Sequence, residues 1–540
     1  MLSTQRFLLV LVLIIFTILY LFSAWVADDA YITFRTIENF HNGYGLRWNI
    51  DERVQSYTHP FWMFNLLIGK YIISDLYYLS LTIGFLYTIF SLLILYQLTK
   101  GEKKLFISTA FLLLSSKAFL DFSSSGLENS ASFFLISCFF YTILKLKENN
   151  NFFLALSLIA STMFLNRMDL IIPLLPLIFY IFFIESYKLK KLKISIKQGL
   201  LGFIPVLLWC LFSTYYYGSF FPNSVIAKTN TGIPISHLQI QGFQYLYCNI
   251  LYDPFTSLVI YCILLYSIIS KNIENKLLGL GLFLYLIYLI SVGADYMYGR
   301  FLTIPFAISI FTIIKNKEII NKNRLKLIII TSFLIFFNLY QYSIKDIESF
   351  QIQNSNLTDE RAFYYRTTGL LPNLTGKNLS IANHFLETGL LFHEPIEKPT
   401  LLYTMGFNGY IASKVFPEKH IIDRLGLTDA FLAAHPMNYG YWRTGHFRRA
   451  VNSEYISSIE KNTNLINLRE DRYVLDQVYL LTRAELNDKR RFKAILNWNN
   501  GNTFKVAKKA FQHYPHHFMM NYDEKNLKNL WIPNNFYTSN

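Results

Sequence analysis

Two adjacent aspartates, Asp28 and Asp29, follow the first long apolar stretch of the chain and form its only Asp-Asp pair. A carboxylate beside apolar surroundings loses solvation, which raises its pKa and makes it a better general base near neutral pH. Carboxylates also favour a helix N-terminus, where free N–H groups and the helix dipole attract negative charge. The residues alone leave catalysis and helix capping open, and both interpretations predict a short helix that begins here.

Cations next to apolar stretches form a second group of candidates. Lys117, Arg167 and Arg300 lie where we predict the outer ends of membrane spans, although orientation in the membrane requires no positive charge there. Arg carries forked donors that suit phosphate oxygens, so these side chains are candidates for binding a phosphate group. The alternatives are structural. Arg167 could pair with Asp169 and Arg300 with Asp295, while Lys117 could extend to the membrane interface.

The elements that must position the Asp pair lie in the first outer loop, residues 27–75. Helical spacing places four largely apolar residues on one face: Tyr31, Phe34, Ile37 and Phe40. The polar residues Thr33, Thr36 and Asn39 lie on other faces. Asn42-Gly43 and Gly45 should end this helix, and a second short helix should begin near Pro60. We therefore expect two helices on the outer membrane surface, with the carboxylates beside the lipid.

Composition indicates a membrane protein. The 540-residue chain is 53% hydrophobic and only 16% charged, and long apolar runs recur until about residue 343. The net charge of +15 does not indicate nucleic-acid binding, because Lys and Arg cluster in short loops between apolar runs, as orientation signals do. The four cysteines are widely spaced and predict neither a disulfide framework nor a metal site.

The alternation of Lys-rich loops predicts about 11 membrane spans in residues 1–343, with the N-terminus in the cytoplasm. The first apolar run is too long for a cleaved signal peptide, so we expect it to remain as a span. Residues 60–73 are too short to cross, and residues 218–253 are predicted as a long outer loop. The predicted spans are 7–26, 76–99, 105–120, 127–145, 152–166, 170–187, 199–217, 254–270, 276–292, 301–314 and 325–343.

Residues 344–540 predict a periplasmic α/β domain. TLLYTM (400–405) and HIIDRL (420–425) have the pattern of buried strands, and between them GFNGY (406–410) begins a turn and a helix. Such a unit usually makes adjacent parallel strands. YVLDQVYLL (473–481) predicts one more strand. We expect the GFNGY turn and His435 to face the membrane-embedded site.

Several segments, taken in order, resemble one family of membrane enzymes. They are DDAYITFRTIENFHNGYGLRWNIDERVQSYTHPFW (28–62), SSGLENSASFFL (124–135), NRMDLIIPLLP (166–176), FPNSVIAKT (221–229), GADYMYGRFLTIP (293–305), and DRLGLTDAFLAAH (423–435) with GHF (445–447). Together they are similar to bacterial membrane glycosyltransferases of the GT-C superfamily. That group includes cell-wall arabinofuranosyltransferases and flagellar-motor-control or virulence-related membrane proteins. The resemblance covers most of the chain.

The resemblance implies an inverting glycosyltransferase with a polyprenyl-phosphate sugar donor and a glycan or glycolipid acceptor. Asp28 matches the general base, with Asp29 beside it, and Lys117, Arg167 and Arg300 would neutralise the donor phosphate. It implies no definite cofactor and leaves open whether the two carboxylates hold a divalent metal. Substrate-binding residues are implied at Arg35, Tyr57, His59, Glu128, Asp169, Asn223, Lys228, Asp295, Tyr298, His435 and His446.

The first interpretation is thus a multi-pass glycosyltransferase of the bacterial cytoplasmic membrane, with its site and C-terminal domain on the outer, periplasmic side. The alternative is a non-catalytic membrane protein that supports an envelope machine for motility, secretion or virulence. A transporter fits less well, because the predicted spans show neither paired interrupted helices nor charges at mid-membrane. The lipid bilayer is an expected partner, and nucleic acid is not.

Overall fold

The chain forms two compact units, each assembled from three separate segments. The computed structural model describes residues 2–321, 356–380, 396–398, 401–404, 408–437 and 442–514. Unit 1 contains residues 1–27, 64–206 and 238–388, and unit 2 contains residues 28–63, 207–237 and 389–540. The sequence predicted one boundary at 343–344. By their contacts, residues 28–63 of the predicted first outer loop and residues 207–237 group with the C-terminal part of the chain.

Among the described residues, the regular elements of unit 1 are helices, because its segments are dominated by apolar helix-forming residues. Pro173 and Pro176 lie in a continuous helical stretch, Met168–Lys188, which changes from 3-10 to α to π geometry along its length. The other helices are Leu2–Ser23, Leu76–Leu98, Lys103–Leu114, Lys117–Phe122, Asn129–Lys145, Phe152–Asn166, Leu192–Gly202, Ile235–Tyr252, Pro254–Ile269, Ile273–Val292, Arg300–Leu302 (3-10), Thr303–Lys315, Glu318–Asn321, Glu360–Thr368 and Leu370–Leu374. Three helices include residues of both units, namely Pro60–Gly69, Ile204–Tyr216 and Ile235–Tyr252.

Several of these helices could cross a membrane. Within the described residues, five are long and apolar enough: Thr4–Ser23, Leu76–Leu98, Met168–Lys188, Leu192–Tyr216 and Ile273–Val292. A pair bent by 113°, Ile235–Tyr252 with Pro254–Ile269, brings the number to six if it forms one broken span. The described part of the chain is therefore mostly helical, with five or six candidate membrane spans that include the predicted first, second, sixth, seventh and ninth spans.

The remaining predicted spans differ in length or lie outside the described residues. Four are helices of 12, 17, 15 and 13 residues, namely Lys103–Leu114, Asn129–Lys145, Phe152–Asn166 and Thr303–Lys315. A straight crossing needs about 20 residues, so the total of about 11 spans stays a prediction. The first of the four ends early because Ser116 caps a new helix by accepting from the Phe119 N–H. The predicted span 325–343 lies outside the described residues.

The segment predicted as an outer loop, residues 218–253, contains two helices that the sequence did not predict. Asn223–Thr229 is short, but Ile235–Tyr252 runs for 18 residues. Gln, Asn and His interrupt the apolar residues of the second helix, which hid its helical period in the sequence.

The sheet of unit 2 confirms the parallel pair of strands. Strand β2 (Leu401–Thr404) pairs in parallel with β3 (His420–Asp423) and antiparallel with β1 (Ile396–Lys398). The helix Asn408–Ser413, called here the crossover helix, lies between β2 and β3 in sequence. Met405, Gly406 and Phe407 of the predicted strand end and turn lie outside the described residues.

The predicted strand at 473–481 is wrong, because this segment belongs to the helix Arg469–Thr482. Its buried residues Val474, Leu475, Val478 and Leu481 repeat with the period of a helix face, and the alternating polar residues concealed it. The other helices of unit 2 are Asp28–His41, Asn223–Thr229, Ala430–Ala434, Ser453–Glu460, Lys489–Asn499 and Asn502–Phe511.

Candidate functional site

The Asp pair begins a helix, as the sequence predicted. This loop helix, Asp28–His41, has both carboxylates in its first turn, and Gly43 and Gly45 follow it with φ of +85° and +83°. The left-handed conformation suits glycine and turns the chain away from the helix. Asp28 therefore stands at the helix N-terminus, where the dipole favours its negative charge.

The polar face of the loop helix is buried. In a helix on a membrane surface, as the sequence predicted, that face would be in water. Thr33, Thr36 and Asn39 are all at most 1% exposed. Thr33 bonds to His59 at 2.9 Å, Thr36 to Ser56 at 3.2 Å, and Asn39 donates to the carbonyls of residues 47 and 48. Because every one of these polar groups has a protein partner, the helix can be a core element of unit 2.

The carboxylate of Asp28 binds the start of the crossover helix. Its two oxygens accept from the Tyr410 N–H at 2.7 Å and the Gly409 N–H at 3.2 Å. These are the second and third N–H groups of the crossover helix, the donors that an N-cap side chain normally satisfies. A Cβ on Gly409 would lie 1.8 Å from the Asp28 carbonyl oxygen, so only glycine permits this approach.

Arg35 binds the other end of the same helix. Its guanidinium donates to the carbonyls of Ala412 and Val415, each at 2.8 Å, and to that of Trp48 at 3.1 Å. Cations stabilise the carbonyl end of a helix as carboxylates stabilise its N–H end. Asp28 and Arg35, two turns apart on the loop helix, thus hold the crossover helix at both ends. These contacts give Arg35 a structural role, and the substrate binding that the resemblance implies for it stays a prediction.

Burial raises the pKa of Asp28 to about 7, and the neighbouring Asp29 adds to the rise, while the N–H groups of Tyr410 and Gly409 lower it. Desolvation therefore outweighs the hydrogen bonds. A carboxylate with this pKa can accept a proton near neutral pH, as a general base must. Each carboxylate oxygen has a second lone pair beyond the one used by its N–H partner.

Other predicted substrate-binding residues of unit 2 lie in buried hydrogen bonds. The Tyr57 hydroxyl meets that of Tyr217 at 2.9 Å, and His59 meets Thr33. Asn223 donates to the carbonyls of residues 426 and 427, which fixes the chain just after β3. His435 is 3% exposed, with one ring nitrogen 2.8 Å from the Phe431 carbonyl and the other 2.8 Å from Asp471.

Positive charges surround His446. Its Nε2 lies 3.0 Å from an Arg443 nitrogen. Burial lowers the pKa of His446 well below its usual value, and the charges of Arg443, Arg448 and Lys228 lower it further. His446 is therefore neutral at physiological pH. Lys228 is exposed in the helix Asn223–Thr229.

In unit 1, each of the three predicted phosphate-binding cations pairs with carboxylates. Lys117 contacts Asp121, and lies 3.1 Å from Asp359, a residue that the sequence analysis had not singled out. Its nitrogen also lies 5.9 Å from the centre of the buried Tyr298 ring. Asp359 could have been found in the sequence from the charged run DER at 359–361, because charged residues are rare near the apolar segments.

Arg167 and Arg300 share Glu128. The Arg167 guanidinium donates two hydrogen bonds to Asp169, at 3.0 and 2.8 Å, and lies 3.4 Å from Glu128. Arg300 lies 3.2 Å from Glu128 and 3.5 Å from Asp295. The structural alternatives for Arg167 with Asp169 and for Arg300 with Asp295 are therefore observed as ion pairs.

The sequence did not indicate Asp429, a buried aspartate of unit 2. It caps the helix Ala430–Ala434 by accepting from the Leu432 N–H at 2.9 Å, and it accepts from the Tyr455 hydroxyl at 2.8 Å. Burial, with the charge of Glu52 adding to it, raises its pKa to about 7. Gly409 was missed as well, because its importance depends on Asp28, which is 381 residues away in sequence. Across the described part of the chain, no group of three or more His, Cys, Asp or Glu residues is arranged to hold a metal ion.

Comparison with known proteins gave one distant relationship. No protein-family model matches the chain, and no solved structure gives a significant match. Over 325 residues the chain is 24% identical to the terminal β-(1→2)-arabinofuranosyltransferase of Mycobacterium tuberculosis, an alignment that covers 52% of this chain and 51% of the relative. The chain thus spans about half the length of the curated relative it matches. The match supports a relationship to glycosyltransferases.

Proposed function

We propose that this protein is a membrane glycosyltransferase that transfers a sugar from a polyprenyl-phosphate donor to a glycan or glycolipid of the cell envelope. The similarity to an arabinofuranosyltransferase and the five or six candidate spans support a membrane enzyme of this class. The observation that carries the proposal is Asp28, a buried carboxylate at a helix N-terminus with a pKa of about 7.

Asp28 would act as the general base. It takes the proton of an acceptor hydroxyl, and the hydroxyl oxygen forms a bond to the anomeric carbon of the donor. The bond from that carbon to the phosphate oxygen breaks, and the polyprenyl phosphate leaves with the electron pair. One displacement inverts the anomeric centre. Asp29 would assist through its charge, which adds to the raised pKa of Asp28.

The departing phosphate needs cations, and three remain candidates: Lys117, Arg167 and Arg300. Arg167 donates two hydrogen bonds to Asp169, so we assign it mainly a structural role. The pairs of Arg300 with Glu128 and Asp295, at 3.2 and 3.5 Å, are longer than the Arg167–Asp169 pair. Replacing a carboxylate partner by the donor phosphate therefore costs less free energy at Arg300 than at Arg167.

A second candidate function is a non-catalytic membrane protein of an envelope machine. The observation that favours it is the pair of contacts made by Asp28 and Arg35, which together stabilise both ends of the crossover helix. In that case the carboxylate is retained for folding. The two functions differ in what happens when the charge of Asp28 is removed.

The test is Asp28→Asn, assayed for transfer of labelled sugar from polyprenyl-phosphate sugars, arabinofuranose among them, to envelope glycan. Loss of a positioned general base lowers the rate by about a hundred- to ten-thousand-fold. The amide nitrogen of Asn would face the Gly409 N–H, so a fall in the unfolding temperature is also expected. Activity is therefore compared per folded molecule.

Asp429→Asn is the matched control, because Asp429 is also buried, also caps a helix and also has a pKa of about 7. Its partner Tyr455 is a hydroxyl, which can turn to accept from the new amide. We expect this variant to keep most of its transfer activity. Full activity of folded Asp28→Asn would reject Asp28 as the base and favour the non-catalytic function.

A further inference from the structure

The helix Lys489–Asn499 of unit 2, called here the basic helix, has two different faces. One face buries Arg491, Ala494, Ile495 and Trp498. The other exposes Phe492 and Leu496, which are 48% and 62% exposed and lie one turn apart. Lys489 and Lys493, also exposed, flank them on the same side. Large apolar side chains next to lysines are typical of helices that lie in the plane of a membrane surface.

The basic helix is tied to the point where a candidate span ends. The helical segment Leu192–Tyr216 is long and apolar enough to cross a membrane. Arg491 donates to the Tyr216 carbonyl at 3.0 Å, and the Tyr215 hydroxyl lies 3.0 Å from Asn487. These contacts join the last turn of the span to the basic helix and to the residues just before it.

The loop that follows this candidate span also contacts the basic helix. Asn499, the last residue of the basic helix, donates to the Gly218 carbonyl at 3.0 Å and accepts from the Phe220 N–H at 2.8 Å. Phe220 and Phe221 are themselves 43% and 47% exposed. Aromatic residues concentrate where spans leave the hydrocarbon, so this loop marks the depth of the membrane interface. Through Asn499 and Arg491, the basic helix is held at the same depth.

We propose that the basic helix lies in the membrane interface, with Phe492 and Leu496 in the boundary between acyl chains and headgroups. Lys489 and Lys493 meet the headgroups of anionic phospholipids. The helix thus anchors unit 2 to the bilayer at a second place besides the span itself. The inference depends on Leu192–Tyr216 crossing the membrane, and it is independent of any catalytic activity.

Spin labels in nanodiscs test the position of the helix in the full-length protein. The native cysteines Cys138, Cys210, Cys248 and Cys262 are first replaced by serine, and single labels follow at Phe492→Cys and Leu496→Cys. The control is Arg469→Cys, an exposed site at the start of the helix Arg469–Thr482. Its Gln477 lies 3.2 Å from Asn497 of the basic helix, and Arg469 is exposed on a polar face that it shares with the exposed Arg472 and Asp476.

In nanodiscs of phosphatidylglycerol and phosphatidylcholine, dissolved oxygen should relax the labels at 492 and 496 several-fold more than a water-soluble nickel chelate does. The label at 469 should show the reverse. Relaxation by the chelate at 492 and 496 equal to that at 469 would overturn the proposal, since the face would then be in water. Shielding of both labels from both reagents would also overturn it, because a protein partner would then cover the face.

A second experiment tests whether the basic helix recognises anionic lipid headgroups. Lys489→Glu with Lys493→Glu should reduce the depth of the label at 496 in phosphatidylglycerol nanodiscs and leave it unchanged in pure phosphatidylcholine. An equal depth in both lipids for the parent and the charge-reversed protein would reject recognition of anionic headgroups. Both lysines are exposed, so the substitutions should leave the unfolding temperature close to that of the parent.

Discussion

The buried Glu128 of unit 1 is held by different groups from the buried Asp28 and Asp429 of unit 2. Glu128 lies 3.4 Å from Arg167 and 3.2 Å from Arg300. In unit 2, Asp28 and Asp429 accept from backbone N–H groups, and Asp429 accepts from a hydroxyl as well. Among the described residues, no Lys or Arg nitrogen forms an ion pair with either of these two aspartates.

This difference decides which buried carboxylates can exchange protons near neutral pH. Hydrogen bonds from neutral groups offset only part of the cost of burying a charge, so burial raises the pKa of both Asp28 and Asp429 to about 7. A cation in contact would favour the charged form instead. The two aspartates then differ from each other in what they cap: Asp429 caps its own helix, whereas Asp28 caps a helix from a distant part of the sequence.

Gly409→Ala should have the largest effect on this arrangement. The added Cβ would lie 1.8 Å from the Asp28 carbonyl oxygen, so the loop helix and the crossover helix must separate. Asp28 then loses both N–H donors. We expect a fall in unfolding temperature and a loss of transfer activity comparable to that of Asp28→Asn, about a hundredfold or more.

Gly501→Ala is the control for the Gly409 variant. Gly501 has a φ of +76° and nothing within 4 Å of its built Cβ, so alanine there introduces backbone strain without a collision. Its transfer activity should stay near that of the parent. If Gly409→Ala retained full activity, the contact between Asp28 and the crossover helix would not matter for the site.

Arg167→Ala should have the second largest effect, mainly on stability. Its removal leaves the buried Glu128 and the half-buried Asp169 without this partner, and breaking a buried pair in this way costs about 3–5 kcal/mol. Arg490→Ala is the matched control, because Arg490 also holds an aspartate two residues away, but its side chain is 78% exposed. The control should change the unfolding temperature little, and similar effects of the two variants would show that burial adds nothing to the Arg167 pairs.

The sequence predicted the elements whose signals are local. The start of the loop helix at Asp28, its end before Gly43 and the parallel strands β2 and β3 all follow from capping residues, glycines and short apolar runs. It failed where polar residues interrupt a helical period. The helix Arg469–Thr482 was predicted as a strand for that reason, and the helix Ile235–Tyr252 was not predicted within the loop 218–253.

The site was predictable only in part, because its partners are distant in sequence. Asp28 could be found from its position after an apolar run, and the observed pairing of Arg167 with Asp169 could be proposed from their spacing. No local pattern, however, shows that Gly409 and Tyr410 donate to Asp28, or that Arg35 holds the far end of the same helix. Those contacts arise from packing of the loop helix against the crossover helix.

The smallest expected effect, and the sharpest comparison of Asp28 with Asp429, comes from pH. Both pKa values are raised from an ordinary value of 3.8 to about 7, so the folded protein binds more protons than the unfolded chain in this range. Each group therefore contributes stability that is fully present below about pH 4 and is lost as pH rises through about 7. The unfolding temperature should fall over this window.

Transfer activity should change in the opposite direction, because a general base works only when it is deprotonated. The rate should rise with pH through a midpoint of about 7, the pKa of Asp28, and level off above that midpoint. Asp429→Asn should make the decline of stability with pH shallower and leave the midpoint of activity unchanged. A midpoint that moves or disappears in Asp429→Asn would assign the proton transfer to Asp429, and the distinction drawn between the two aspartates would be wrong.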